Sequence, residues 1–334
     1  MGICGRNQVS SVLLFVAVVL LLAPAGLLGQ SKTLPRTPDG QPDLQGVWTN
    51  NTVTPLERPK GLGAKEFYTE AELAQAIEKE RVRASQAEEA GRDTEPGTAD
   101  DVHYDFSQFG LDRAQGKLAW NLRTSMIVGP EGTIPPLTPE AQKRRAERRA
   151  KAKGHEFDGP ENRPLGARCL VRPNVGPPLL PSAYNSNLQI VQGHSYVALE
   201  AEMIHDARII PTDGRAHLSK KIKQWMGDSV GHWEGNTLVI DTTNFTDLNP
   251  FEDAQNLHVI ERLTRKDNDT ILYQFTVEDP GMWIKPWSGE LALSKIDGQI
   301  YEYACHEANY GLANTLSGAR VAEEEAAKRA KGGK

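Results

Sequence analysis

After residue 187 the chain alternates between apolar and polar residues in short stretches separated by turn residues. In one stretch Ile271, Tyr273, Phe275 and Val277 form a continuous apolar face, and the residues between them are mostly polar. Such alternation is typical of a strand that packs on one side and is wetter on the other. The pattern predicts nine strands, at residues 187–193, 195–202, 204–211, 229–234, 237–244, 257–265, 270–278, 284–293 and 299–307.

Turn residues between these stretches indicate antiparallel hairpins, with turns at residues 234–236, 266–269 and 296–298. A sheet of this size avoids exposed edges by closing on itself or by stacking. The fold class we predict is therefore mainly β, an antiparallel barrel of lipocalin-like or avidin-like kind. A strongly curved open sheet is the alternative.

The first half of the chain has a different pattern, which predicts an arm and two accessory helices. Thr69 and Glu72 form a capping box before a helix at residues 71–90, and Thr138 and Pro139 begin a second helix that ends near Lys153. The chain then divides into an arm with helices, the barrel and a disordered charged tail, at residues 30–160, 161–322 and 323–334. Within the first part, a strand-like piece at residues 45–50 is expected in the arm, and a strand at residues 121–128.

Residues 1–29 predict a Sec-type signal peptide and a periplasmic or extracellular location. Arg6 precedes an apolar run from Val12 to Leu22, and a helix-breaking stretch ends in Gly29. The run is short for a spanning helix, which needs about 20 residues. We expect no stable membrane insertion after cleavage, and an uncleaved anchor is the alternative.

Charge and cysteine content narrow the functional classes. The formal net charge of −6 provides no basic field of the kind that nucleic-acid binding requires, so nucleic-acid binding is not expected. A basic run at residues 143–153 indicates a solvated helix face, or alternatively a site for a nucleic acid or an anionic surface. In an oxidising compartment Cys169 and Cys305 are expected to form a disulfide, the alternative being two buried thiols.

Four long strings of residues carry a resemblance to known proteins. They read IHDARIIPTDGR, QWMGDSVGHWEGNTLVIDTTNF, LHVIERLTR and YEYACHEANYGLANTLSGAR. Over residues 35–322 the chain resembles a large group of uncharacterised secreted proteins of soil bacteria, Acidobacteria-like in character. The resemblance implies export but no particular reaction.

Charged residues on apolar strands are the first candidates for chemistry. Arg208 requires a buried carboxylate or an anionic ligand, because an unpaired buried charge is costly. Glu261 lies between apolar neighbours and is its expected partner, in a structural ion pair or as a general acid or base. Further acid–base candidates are His205, His258, His306 and Glu307, with His258 predicted on the strand face opposite to Glu261. The spacing of these residues predicts neither a metal site nor a cofactor.

Aromatic residues cluster in the second half of the chain. They either fill the core or form a wall for a flat ligand, because an aromatic ring has an apolar face and a rim that forms hydrogen bonds. The candidates for ligand binding are Trp225, His232, Trp233, Trp283, Trp287, Tyr303 and Tyr310.

Three functions fit these observations. The first is a secreted barrel that binds a small apolar or aromatic ligand. The second is a secreted hydrolase, lyase or isomerase that acts on a carbohydrate or phenolic compound by His and carboxylate acid–base catalysis. The third is an envelope-associated partner protein that uses the arm and the helices. A His and a carboxylate converging in a wet cavity would favour catalysis, and a dry apolar cavity would favour binding.

Overall fold

The computed structural model describes residues 34–92 and 121–332, apart from residues 183, 250, 252, 253, 255 and 308. All of the described residues belong to one compact unit, Leu34–Lys334. The predicted signal peptide at residues 1–29 lies outside the described residues.

Nine antiparallel strands form one sheet that curls into a nearly closed barrel, which confirms the predicted fold class. Their order in the sheet is β4-β3-β2-β1-β9-β8-β7-β6-β5. The end strands meet closely, because a Cβ on Gly231 of β5 would lie 2.9 Å from Cγ2 of Ile210 in β4. The strands are β1 Gly46–Thr49, β2 Asn187–Gln192, β3 Tyr196–Ala201, β4 Asp206–Pro211, β5 Asp228–Glu234, β6 Thr237–Thr243, β7 His258–Arg265, β8 Thr270–Glu278 and β9 Trp287–Lys295.

The ninth strand is not the one that the alternation predicts. The strand prediction for residues 299–307 is wrong, since this segment is irregular and ends in a turn. The strand-like piece at residues 45–50 instead supplies β1, which pairs with β2 and β9 through Trp48. Because β1 completes the sheet and buries Trp48, the arm contributes to the barrel and the division at residue 161 does not hold for β1. The strand prediction at 121–128 is also wrong, because only single bridges form there.

Three helices accompany the barrel: α1 Glu70–Arg92, α2 Pro139–Ala152 and α3 Tyr310–Gly332. The first two confirm the predicted caps, with Thr138 Oγ1 accepting from the Ala141 N–H at 3.1 Å and Thr69 Oγ1 from the Glu72 N–H at 3.3 Å. Helix α3 replaces most of the predicted disordered tail, because the segment consists mainly of good helix formers. Among the described residues no helix has the length and apolar character needed to cross a membrane.

The barrel interior is filled by side chains and by one inserted segment. Most inward-facing residues of the strands are buried, and the largest include Trp48, Tyr273 and Phe275. Residues 174–179 are buried at one end of the barrel, where the Leu179 N–H donates to Tyr273 Oη at 2.8 Å. A disulfide joins Cys169 to Cys305, as predicted, and ties the chain before this segment to the chain before α3.

Candidate functional sites inside and outside the barrel

Arg208 and Glu261 meet inside the barrel, which confirms the predicted ion pair. Nη1 of Arg208 donates to Oε2 of Glu261 at 2.6 Å, and Nη2 donates to Oε1 at 2.9 Å. Tyr273 Oη also donates to Glu261 Oε1 at 2.7 Å. Burial opposes the charge on Arg208, but the carboxylate of Glu261 outweighs it and the pKa of Arg208 is raised. Burial, together with the charge of Glu261, raises the pKa of Tyr273 well above its usual value.

This interior cluster is closed to solvent. The side chains of Arg208 and Glu261 are 3% and 0% exposed. Gly176, in the inserted segment, lies over the pair, since a Cβ added there would be 3.4 Å from Arg208 Nη2. Of the two alternatives for Glu261, the geometry therefore fits the structural ion pair.

A second cluster of charges lies on the outer face, as a chain of alternating carboxylates and imidazoles. His217 contacts Asp228 Oδ2 through Nδ1 and Asp241 Oδ1 through Nε2, both at 2.9 Å. His258 contacts Asp241 Oδ2 through Nε2 at 2.9 Å and Glu278 Oε2 through Nδ1 at 3.3 Å. The chain thus crosses β5, β6, β7 and β8, and it fastens the loop that carries His217 to the sheet.

The contacts of His258 favour its protonated form. An ionised carboxylate only accepts hydrogen bonds, so the two carboxylates beside the ring nitrogens of His258 favour its imidazolium. For His258, burial lowers the pKa, but the hydrogen bonds and charges of Asp241 and Glu278 outweigh it and the pKa is raised. Among the described residues, no group of His, Cys, Asp and Glu is arranged to hold a metal ion.

The outer chain was only partly predictable from the sequence. His258 lies on the face opposite to Glu261, as predicted, because β7 alternates without a bulge. Asp241 could have been found by the same alternation in β6. His217 could not, because its loop has no periodicity that indicates a direction.

A groove lies beside this chain of carboxylates and imidazoles, on the outer face of β7, β8 and β9, and has a cavity volume of about 190 Å³. Its residues include Val128, Ile260, Arg262, Gln274, Thr276 and Ser288. Val128 forms the wall of the groove beside β9. Its N–H donates to the Ser288 carbonyl at 3.0 Å, and this hydrogen bond holds Val128 along β9. Arg262 Nη2 donates to Glu234 Oε2 at 2.8 Å at the other side.

Comparisons of the chain with protein-family models, curated proteins and solved structures find no match, so the resemblance to secreted proteins of soil bacteria stays a prediction. The barrel fold itself is compatible with ligand binding. The choice of a site therefore depends on the geometry of the described residues.

The remaining acid–base candidates lie apart from both clusters. His205 precedes β4 rather than lying within a strand, and its Nε2 is 3.2 Å from Glu200 Oε1. His306 and Glu307 are exposed in a turn beside the disulfide, because the strand that was predicted to carry them does not form. The structure therefore does not bring the six predicted acid–base residues together.

The aromatic candidates do not form one wall. Trp283 and Trp287 are buried with ring centroids 5.7 Å apart and pack on Phe251, so core filling describes these two. Trp225 and Tyr310 are exposed, and Trp233 is half-buried against the core. The remaining two candidates are Tyr303, whose ring centroid is 6.3 Å from that of Tyr184, and His232, which is exposed beside Glu234.

Two buried carboxylates, Glu202 and Asp279, were not among the candidates. Glu202 is fully buried, and its Oε2 accepts from Asn187 Nδ2 at 2.6 Å. Its Oε1 has no hydrogen-bond partner among the described residues. A buried charge with so few partners is costly and invites a direct test.

Proposed function

We propose that this is an exported barrel protein that binds a small ligand, with one apolar or aromatic ring and an anionic group, in the groove on the outer face. The lining of the groove carries the proposal. Val128 and Ile260 provide apolar contact, and Arg262 provides a cation beside the hydroxyl groups of Thr276 and Ser288. The disulfide supports export, because such bonds persist in oxidising compartments.

The size of the groove limits the ligand to about one ring. An apolar cavity of about 150 Å³ holds benzene, whereas sites for larger ligands have volumes of about 300–1,000 Å³. The groove, at about 190 Å³, lies between these values. A single substituted ring therefore fits, and a lipid or an oligosaccharide chain does not.

Arg262 favours a carboxylate as the anionic group. Its guanidinium has five N–H donors in a planar fork that suits a carboxylate, and the hydrogen bond to Glu234 uses Nη2 alone. Thr276 Oγ1 and Ser288 Oγ form a hydrogen bond of 2.9 Å on the floor of the groove, which leaves one of the two hydroxyls free to donate to a ligand. A small aromatic acid matches this combination.

Calorimetric titration with benzoate and with benzyl alcohol tests the proposal. We expect benzoate to bind more tightly, and Arg262→Gln to weaken benzoate binding by about tenfold or more, because a hydrogen bond to a charged group contributes about 1.5–3 kcal/mol. Arg215→Gln is the matched control, since Arg215 is likewise paired with a carboxylate, that of Asp213, and lies at the surface outside the groove. Equal affinity for the two compounds, or equal effects of the two substitutions, would contradict the proposal.

Acid catalysis in the same groove is the second candidate. Ile260 of the groove pairs with Asp241 and lies two residues from His258, so the outer chain borders the groove. In this alternative the His258 imidazolium would be the acid that protonates a bound carbohydrate or phenolic compound. Binding is preferred because both nitrogens of His258 already contact carboxylates. Turnover of a bound compound that is lost in His258→Gln, with its affinity unchanged, would favour catalysis.

A further inference from the structure

The loop between β4 and β5 exposes large apolar residues and basic residues side by side. Residues 218–225 are all exposed, with Leu218, Ile222 and Trp225 at 48%, 49% and 37%. Leu248, in the loop after β6, is 48% exposed. We call residues 218–225 together with Leu248 the apolar-basic surface.

The two loops of this surface are held together by several hydrogen bonds. The Gln224 N–H donates to the Asn244 carbonyl and the Thr246 N–H donates to the Gln224 carbonyl, both at 2.9 Å. Asn244 Nδ2 donates to the Leu218 carbonyl at 3.0 Å. His217 then fastens the first loop to the sheet. The apolar side chains are therefore exposed from a fixed backbone.

The charge of the surface is opposite to that of the chain. Lys220, Lys221 and Lys223 lie between the apolar residues, whereas the whole chain has a formal charge of −6. Lys223 is paired with Asp247 at 2.8 Å, and among the described residues Lys220 and Lys221 form no ion pair. Two free ammonium groups thus border an exposed apolar cluster.

We propose that the apolar-basic surface docks the protein reversibly on an anionic phospholipid membrane. Lysines attract anionic headgroups, and Leu, Ile and Trp side chains enter the boundary between headgroups and acyl chains. The strength of such binding increases with the buried apolar area and with electrostatic attraction to anionic lipids, and this surface contributes to both. The proposal is independent of the ligand in the groove, because the groove residues lie outside this surface.

Vesicle sedimentation with the mature protein tests the docking. We expect binding to vesicles of phosphatidylcholine mixed with phosphatidylglycerol, weaker binding to phosphatidylcholine alone, and release at high salt. Lys220→Glu/Lys221→Glu and Leu218→Ser/Ile222→Ser should each weaken binding by about tenfold or more, because each reduces one of these two contributions. All four positions are exposed, so the variants retain the fold, which circular dichroism checks.

Matched controls change the same residue types elsewhere. Lys151→Glu/Lys153→Glu on or next to α2 removes two exposed lysines, and Ile209→Ser/Ile284→Ser removes two isoleucines that are 60% and 59% exposed. Both controls should bind vesicles as the unchanged protein does. Trp225 fluorescence should shift to shorter wavelength on binding, and Trp225→Phe should remove that shift.

Three results would overturn the proposal. The first is equal binding by the loop variants and the unchanged protein, and the second is equal loss in the controls. The third is absence of binding to either vesicle while the loop variants alter self-association, which would identify the surface as a protein interface.

Discussion

Arg208 of β4 and Glu261 of β7 form a two-pronged ion pair across the barrel, although their strands share no hydrogen-bonded ladder. Strands β5 and β6 lie between them on the side where the sheet nearly closes. The pair therefore joins one end strand to the opposite end of the sheet. The ion pair thus links the two ends of the sheet at the place where β4 and β5 lie side by side but are not paired in the ladder.

Removing either partner should destabilise the barrel strongly. Arg208→Ala leaves a buried carboxylate unpaired, and we expect the free energy of unfolding to fall by about 3–5 kcal/mol. Arg208→Met/Glu261→Leu should lose less than either single substitution, because it removes both charges. Urea denaturation measures both effects. Arg81→Ala, which breaks an exposed ion pair with Glu78, is the control and should leave stability unchanged. Unchanged melting of Arg208→Ala would show that the pair does not support the closure.

Gly289 is required because Phe275 lies against it. The two residues are partners in the ladder between β8 and β9, and a Cβ on Gly289 would lie 2.2 Å from Cζ of Phe275. Gly289→Ala should therefore lower the free energy of unfolding by about 1–3 kcal/mol. Gly318→Ala is the control and should raise the free energy of unfolding, because Gly318 lies within helix α3 with open space around it. Adding Phe275→Leu to Gly289→Ala should recover part of the loss, and additive effects would mean that the two side chains do not compete for space.

Local patterns account for what the sequence predicted correctly. The eight- and nine-residue strands β7 and β8 repeat their alternation often enough to be recognised, and this placed Glu261 in the interior. Arg208 lies on the six-residue strand β4, where a charge among apolar residues predicted a buried partner. Strand β1 has four residues, so its place follows only from pairing with β2 and β9. The groove depends on the register of three strands and on Val128 from a distant segment. No single stretch of sequence contains that information.

Glu202 tests whether a buried carboxylate can stabilise this fold with one hydrogen bond. Glu202→Gln keeps the shape and the oxygen that accepts from Asn187, but removes the charge. We expect the free energy of unfolding to rise, because a buried charge costs more than the buried neutral amide that replaces it, although the new NH2 group also lacks a partner. Asn187→Asp, which replaces the donor by a second negative charge, should lower it. A loss of stability in Glu202→Gln, measured by urea denaturation, would mean that the negative charge itself stabilises the fold.

The outer chain should make stability depend on pH through His258. Its pKa in the folded protein is raised above 6.5, so the folded state binds the proton more tightly than the unfolded state does. The resulting stabilisation is fully present below about pH 6.5 and is lost as the pH rises through the folded pKa. His258→Gln should therefore lower the free energy of unfolding at about pH 6, and the difference should shrink towards about pH 9.

Urea denaturation across this range measures the difference, and His232→Gln is the matched control. His232 also contacts a carboxylate, Glu234 at 3.1 Å, but its side chain is 58% exposed, so solvent screens the interaction. Its substitution should cost less stability than His258→Gln does at about pH 6. Asp241→Asn removes one of the two carboxylates that raise the pKa of His258, so it should reduce the pH dependence. If His258→Gln costs the same stability at low and high pH, the imidazole is neutral in the folded protein and the proton arrangement inferred from its two carboxylate contacts is wrong.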